Sequence, residues 1–241
     1  MFITQDYSRY TAEEHAVWAT LCARRMATLP ETGSRAFLRG LELLKIDMER
    51  VPRLEEINAR LRPLTGFRAV AVDGYLPARE FFTCLAERSF PTTITVRPRE
   101  QLDYLPEPDI FHDVFGHVPL HTDPYRADFL QRFGQAGLAA ETEEELTGLS
   151  RLFWFTVEFG LIREEGRIKL FGSGLMSSPG EGAHALTDAV EKRNFDLHEI
   201  MNQPFEIDHY QPLLFVIDSF EQLYHAMDER ARELERRPVL R

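Results

Sequence analysis

Two of the eight histidines, His112 and His117, stand five residues apart in a stretch, residues 106–120, that has prolines at positions 106, 108 and 119. Ile110, Phe111, Val114 and Phe115 would bury that stretch. Buried imidazoles beside the carboxylates of Asp109 and Asp113 need compensation, because an unpaired polar group inside a protein costs about 1–3 kcal/mol. A metal ion would supply it. The sequence offers one further ligand of the right kind: Glu158, inside the apolar residues 152–160, where a carboxylate is not left unpaired. Two imidazoles and one carboxylate on one face of a metal leave three positions open. That suits an Fe(II) ion that must bind oxygen and a second reactant. A buried structural His–acid cluster would use the same residues, and spacing alone leaves both readings open.

The spacing also sets a geometric demand. On an ideal α-helix, residues five apart point about 140° away from each other, unlike the four-apart, same-face pair of a zinc protease helix. Gly116 and the Val118–Pro119 ending predict that the helix stops there, so that His117 swings round from a distorted last turn.

The elements that must position these groups read mostly as helices. Residues 1–10 form an irregular arm. Thr11 and Glu14 make a capping box for a helix carrying Val17, Trp18, Leu21, Cys22 and Leu29, closed by Pro30. A second helix starts near Ser34 with Phe37, Leu41, Leu44 and Met48 on one face; a third carries Leu54, Ile57 and Leu61 and breaks between Pro63 and Gly66. Residues 68–72 read as a strand, and the helix after Pro77 turns Phe81, Phe82 and Leu85 inward. The β-branched residues 92–96 are the strongest strand signal. A helix begins at Pro124, with Gly134 and Gly137 loosening its end. The acidic residues 141–145 start a long helix through Leu161, with Glu158 near its end. Then come a strand at residues 167–171, a glycine- and serine-rich loop at 172–180, and a helix to about Val190. A strand at 213–217 precedes a final amphipathic helix carrying Leu223, Met227 and Leu234. The loop lacks the Gly-Lys-Ser/Thr ending of a phosphate cradle. No repeat, low-complexity segment or linker divides residues 1–241, which predicts a single, mainly α domain of packed helices with a few short strands.

A net charge of −11 argues against non-specific nucleic-acid binding and against docking on anionic lipid. No apolar run approaches the ~18 residues of a membrane span, and the first residues lack a signal-peptide pattern. The two cysteines, Cys22 and Cys84, lie in apolar helical patterns and read as buried free thiols. A cytoplasmic protein is expected.

Three segments in order, residues 106–120, 154–160 and 172–178, resemble the aromatic amino acid hydroxylases, the pterin-dependent monooxygenases of phenylalanine, tyrosine and tryptophan. The similarity runs from about Leu61 to Phe220 and is strongest to short bacterial members acting on phenylalanine. The resemblance implies iron ligands at His112, His117 and Glu158. It implies a substrate site in which Arg97 pairs with the amino-acid carboxylate, Asp109 orients Arg97, and Pro108, Trp154, Gly174 and Ser177 form the wall. It places Phe81 against the pterin with Phe82 beside it, and Asp113 near the pterin where animal members have Glu. Leu105 stands where they commonly have Thr. The implied reaction is hydroxylation of L-phenylalanine to L-tyrosine by O2 and a tetrahydropterin at Fe(II). Trp154 stands where tryptophan hydroxylases tend to have a smaller aromatic, and Ile207 where tyrosine hydroxylases tend to have an acid. Tryptophan 5-hydroxylation on the same scaffold, or a metal- and pterin-binding module without turnover, are the alternatives. The resemblance further implies a monomer without regulatory or tetramerisation domains, and a pathway link to a pterin carbinolamine dehydratase. His121, just after the motif, reads as a support for the ligands or as a surface residue; the remaining histidines read as surface.

Overall fold

A computed structural model describes residues 2–103 and 107–236. Its helices are α1 (Ala12–Met26), α2 (Leu29–Thr32), α3 (Arg35–Leu44), α4 (Leu54–Thr65), α5 (Ala78–Ala86), α6 (Pro124–Ala139), α7 (Glu143–Leu152), α8 (Ser173–Ser177), α9 (Pro179–Ala185), α10 (Leu197–Asn202) and α11 (Phe220–Glu235). Its strands are β1 (Arg68–Val72), β2 (Ser89–Thr93), β3 (Leu161–Glu164), β4 (Arg167–Leu170), β5 (Glu191–Asn194) and β6 (Leu213–Ile217). The fold is mainly helical with short strands, as expected. None of the helices described is long and apolar enough to cross a membrane.

Local chemistry explains most of the boundaries. The Thr11–Glu14 capping box forms with both of its bonds. Lys45, with φ +50°, ends α3 in the left-handed region, so Met48 falls beyond the helix it was expected to join. α4 continues through Pro63 and stops at Gly66, φ +78°, where glycine carries no steric penalty. The arm before α1 is irregular apart from one short turn at Tyr7–Arg9 and an antiparallel bridge of Phe2 to Val72. It is tied down by Gln5, which donates to Pro52 O and accepts from Leu54 N.

β1 and β2 form a parallel pair in which Arg68 faces Ser89 and Val72 faces Thr93. That pairing draws the second strand three residues earlier than its β-branched run. Thr95 instead offers its carbonyl to Ile110 N, which turns the chain toward the metal motif. The other sheet has the order β4-β3-β6-β5, with β3·β4 antiparallel and the rest parallel. One hydrophobic core cluster extends from Val17 to Leu234. In α6, Gly134 and Gly137 do not loosen the helix end. A Cβ on Gly134 would lie 2.4 Å from Ala86 N, and one on Gly137 would lie 2.2 Å from the Phe82 ring. The two glycines let α5 seat directly on α6.

Gly40 of α3 plays the same part against the turn that follows His117. A Cβ there would meet Pro119 O at 2.1 Å, a backbone atom that cannot rotate away. Gly40→Ala is therefore expected to destabilise the fold by at least the roughly 1–3 kcal/mol of an overpacked core. A lowered urea midpoint at unchanged m-value would register it.

Candidate metal centre and adjoining cavity

Residues Phe111–His117 form a π-helix, followed without interruption by a 3-10 turn, Val118–Thr122. The expected break at Gly116 does not occur. An i→i+5 hydrogen-bond pattern stacks residue i+5 above residue i, so widening the helix puts His112 and His117 on one face, which a straight α-helix cannot do. Glu158 is presented in the same way. The helix expected to run from residue 141 to Leu161 ends as α7 at Leu152 and continues as a second π-helix, Phe153–Glu158. It closes with the bond from Phe159 N to Trp154 O, 2.8 Å. Leu161 already belongs to β3.

The three side chains converge. His112 Nε2 and His117 Nε2 are 3.2 Å apart, with their rings nearly perpendicular at 86°. Glu158 Oε1 is 3.2 Å from His117 Nε2, and Oε2 is 3.5 Å from His112 Nε2. Two ligand atoms each about 2.1 Å from a shared ion at right angles stand about 3.0 Å apart, close to these edges. The carboxylate of Asp113 is also within 4.8 Å of the two imidazoles. Its Oδ2, however, already accepts from Thr93 N at 2.7 Å and Thr93 Oγ1 at 2.8 Å, which leaves Glu158 as the nearer ligand.

Hydrogen bonds around the ligands fix which atoms are free to bind. Ser177 Oγ donates its one proton to Ser173 O, 2.8 Å. It must therefore accept from His112 Nδ1, 2.9 Å away, which assigns the N–H to Nδ1 and the lone pair to Nε2. Ser173 Oγ donates to Glu158 Oε2 at 2.6 Å. Burial opposes charge on all three ligands. The field of His117, together with hydrogen bonds from His112 and His117, nevertheless holds Glu158 well below the usual carboxylate range. For His112 the loss of hydration is outweighed by the hydrogen bond and charge of Glu158, aided by Asp113 and Asp109, and it is pushed up to about 9. Burial pushes His117 down. Below about pH 9 His112 thus carries a second hydrogen, on Nε2 beside Glu158, which must leave before the Nε2 lone pair can bind an ion.

A cavity of about 210 Å³ opens onto this cluster. Its walls include Tyr75, Phe81, Pro108, Asp113 and Phe153 as well as His112, His117 and Glu158. Phe81 stands edge-on to Phe153, with centroids 5.5 Å apart, and lines the cavity. Phe82 does not share it: its ring packs on Phe133 and Gly137 in the core. Arg97 and Asp109 form a two-pronged pair, Nε to Oδ2 and Nη2 to Oδ1, both 2.9 Å. Asp109 Oδ1 also accepts from His112 N at 3.1 Å, so one carboxylate joins the arginine to the start of the π-helix.

Trp154 stacks on Phe205, with centroids 4.4 Å apart, and donates to Gln211 Oε1 at 3.2 Å. Gly174 lies against the Phe159 ring and the Glu158 carbonyl. Ser177 is not simply wall, since its hydroxyl is committed to His112. Ile207 is exposed. Leu105 lies outside the described residues. His121 is fully buried against Phe67 and Phe90, which removes the surface reading. Sequence reasoning missed Ser173, Gln211, Phe205 and Thr93. Ser173 sits inside one of the quoted motifs, but a serine in a glycine-rich run carries no signal of its own. Its segment, expected as loop, is the short helix α8, whose last carbonyls, of Leu175 and Met176, are taken by the buried Arg25. The following helix, α9, ends at Ala185 rather than near Val190.

Residues 6–241 match the family model described as biopterin-dependent aromatic amino acid hydroxylase. The phenylalanine-4-hydroxylase of Chromobacterium violaceum is 46% identical over 225 residues, 93% of this chain and 76% of that one. That of Ralstonia nicotianae is 47% identical over 223 residues, 92% of this chain and 71% of that one. A crystal structure of the Chromobacterium violaceum enzyme with iron(III) and oxidised 7,8-dihydrobiopterin bound superposes with a TM-score of 0.92. It is 43% identical and covers 98% of this chain and 88% of that one.

Proposed function

The chain belongs to the biopterin-dependent aromatic amino acid hydroxylases, and from that membership we propose that His112, His117 and Glu158 hold one iron(II) ion at which L-phenylalanine is converted to L-tyrosine with O2 and a tetrahydropterin. The observation that carries the ligand assignment is the convergence of His112 Nε2, His117 Nε2 and Glu158 Oε1 and Oε2 at 3.2–3.5 Å. Bound there, iron(II) supplies open coordination positions for activating O2 together with the reduced pterin.

The side chains supply position and a dry site. Arg97, held in plane by Asp109, offers its remaining N–H groups to the substrate carboxylate. Pro108, Trp154 and Gly174 shape the amino-acid pocket, and Phe81 offers a stacking face to the pterin. Phe82 acts through packing behind it. Asp113 is anchored by Thr93, and burial raises its pKa, so its carboxyl is placed to exchange hydrogen bonds with the pterin ring. The buried aromatic surround excludes water from the reacting ring.

Substrate choice is tested by product analysis of the iron-loaded protein with reduced pterin and each aromatic amino acid. Tyrosine from phenylalanine is the expected main product; 5-hydroxytryptophan formed faster than tyrosine would reverse the choice. Buried free Cys22 and Cys84 support a reducing, cytoplasmic setting. A monomeric catalytic domain, with a pterin carbinolamine dehydratase consuming the oxidised pterin, completes the reading.

Metal uptake should depend on pH with a definite sign. The metal takes the Nε2 lone pair that the proton on His112 occupies. Below about pH 9 each ion bound must displace that proton, and apparent affinity should rise up to tenfold per pH unit between neutrality and 9, then level off. Cobalt(II) titrations of the protein at several pH values, with proton release followed in weak buffer, would measure it. A pH-independent affinity would contradict the assignment of His112.

A further inference from the structure

Behind the metal-facing edge of His117 lies a group of buried polar atoms that no protein atom satisfies: His117 Nδ1, both ring nitrogens of His121, and Nε and Nη1 of Arg126. His121 is 0% and Arg126 1% exposed. They are neighbours. The His117 and His121 rings both lie on Phe90, at 4.5 and 4.9 Å. After burial, Arg126 is the strongest influence against charging His121, with His117 next. Glu158 is the charge that most favours the Arg126 cation.

A buried guanidinium without a counter-ion is costly, and no carboxylate of a described residue is within ion-pair distance of this one. Asp123 spends Oδ1 on capping α6 through Arg126 N, at 3.0 Å. Glu158 is turned toward the two imidazoles and Ser173. The hydrogen-bond inventory is equally one-sided. With Nε2 of His117 given to the metal, Nδ1 carries its hydrogen; Nε and Nη1 of Arg126 add three unpaired N–H donors; neutral His121 adds one donor and one acceptor. Water would have to place two hydrogens of its own where only one lone pair awaits. An acceptor-only ligand meets every donor and leaves only that one lone pair of His121 unmet, and its charge offsets the guanidinium. Arg126 also stands in the first turn of α6, a sixteen-residue helix whose dipole favours negative charge at that end.

We propose that Arg126, His121 and the Nδ1 edge of His117 form a buried binding site for a small monovalent anion of halide size. The site rests on the reading above only in assigning Nε2 of His117 to the metal. By linkage, an anion bonded to Nδ1–H would make His117 a stronger ligand and offset the positive charge that a metal brings next to Arg126, so anion and metal should each tighten binding of the other.

The test uses the metal-free full-length protein, with sodium bromide exchanged for sodium gluconate at fixed ionic strength. Bromide should raise the melting temperature along a saturating curve, by roughly 3–6 °C at tenfold excess over its Kd. Arg126→Met should abolish that response. The variant is expected to fold, because replacing an uncompensated buried charge with an apolar chain is neutral or stabilising. Should it fail to fold, bromide anomalous scattering from crystals of the unaltered protein decides, with a peak expected between Arg126 and His121. No saturable response to bromide, an equal response in Arg126→Met, or density at that point without a bromine signal would each overturn the site. Cobalt(II) binding to Glu158→Ala, measured separately, reports on the metal assignment, so failure of one reading is distinguishable from failure of the other.

Discussion

Glu158→Ala should reduce tyrosine formation by on the order of 10³-fold or more, with the protein still folded. A catalytic metal contributes several kcal/mol of activation, and each 1.36 kcal/mol is tenfold in rate. On the proposed ligand set, truncating Glu158 removes one of three ligands, the only anionic one, and leaves two imidazoles that would hold a divalent ion weakly. The effect on the metal-free protein separates this from general damage. Glu158 is the main group that keeps the proton on His112; without it the His112 titration should fall from about 9, with only Asp113 and Asp109 left to oppose the loss of hydration. An imidazole-resolved NMR titration would follow that movement. Glu158→Gln is the conservative control. It preserves a carbonyl oxygen for the Ser173 hydroxyl, now 2.6 Å from Oε2, so the second π-helix keeps its contact while cobalt(II) affinity drops. Full activity in a folded, iron-loaded Glu158→Ala protein would remove Glu158 from the ligand set and bring Asp113 forward, the other carboxylate within reach of both imidazoles.

The candidate ligands stand out in the sequence because they are chemical exceptions: ionisable groups in runs that are otherwise apolar. Their geometry was not. A period of 3.6 residues makes a five-residue spacing look divergent, and only a switch to i→i+5 bonding reconciles it. Both ligand-bearing segments, Phe111–His117 and Phe153–Glu158, make that switch. No residue type announces it, since the widened turns are held by tertiary contacts. Boundaries set by neighbouring residues were readable, as in the Thr11 capping box, Gly66 after α4, and β6 at Leu213–Ile217. Boundaries set by distant partners were not. β2 is placed by its register with β1. α8 depends on the guanidinium of Arg25, which reaches its carbonyls across 150 and 151 residues of sequence. β5, Glu191–Asn194, is a polar edge strand whose residues give no period-two signal. His121, which the sequence left between a supporting and a surface role, and Arg126, of a type rarely buried, are both buried, so the pattern rule that singled out Glu158 is blind outside an apolar run.

Asp109→Ala is expected to cost roughly 3–5 kcal/mol, because it leaves a buried guanidinium without its partner. The side chains of Arg97 and Asp109 are only 10% and 2% exposed. At about 2–4 °C per kcal/mol for a chain of this size, the melting temperature should fall by roughly 6–20 °C. The surface pair Arg24–Asp103, 42% and 93% exposed, makes the contrast: Asp103→Ala should stay within about 0.5 kcal/mol of the parent. Asp109 carries more than a pair, however. Its Oδ2 also accepts from Arg97 N at 3.1 Å, and its Oδ1 caps His112 N at 3.1 Å. Loss of the carboxylate therefore frees the arginine meant for the substrate and the first turn of the helix that presents His112. Asp109→Asn separates the two duties. It keeps the shape and one acceptor but gives up the charge that aligns the guanidinium, so KM for phenylalanine should rise about tenfold or more, the effect of losing one charge-assisted hydrogen bond of about 1.5–3 kcal/mol. KM for the pterin and cobalt(II) affinity should hardly change. If KM for pterin and phenylalanine rose together, Asp109 would be shown to act on the whole cavity through the π-helix rather than on the substrate carboxylate through Arg97. Either way, the carboxylate that pairs with Arg97 also accepts from His112 N, so disturbance of the guanidinium reaches the start of the π-helix through a single side chain.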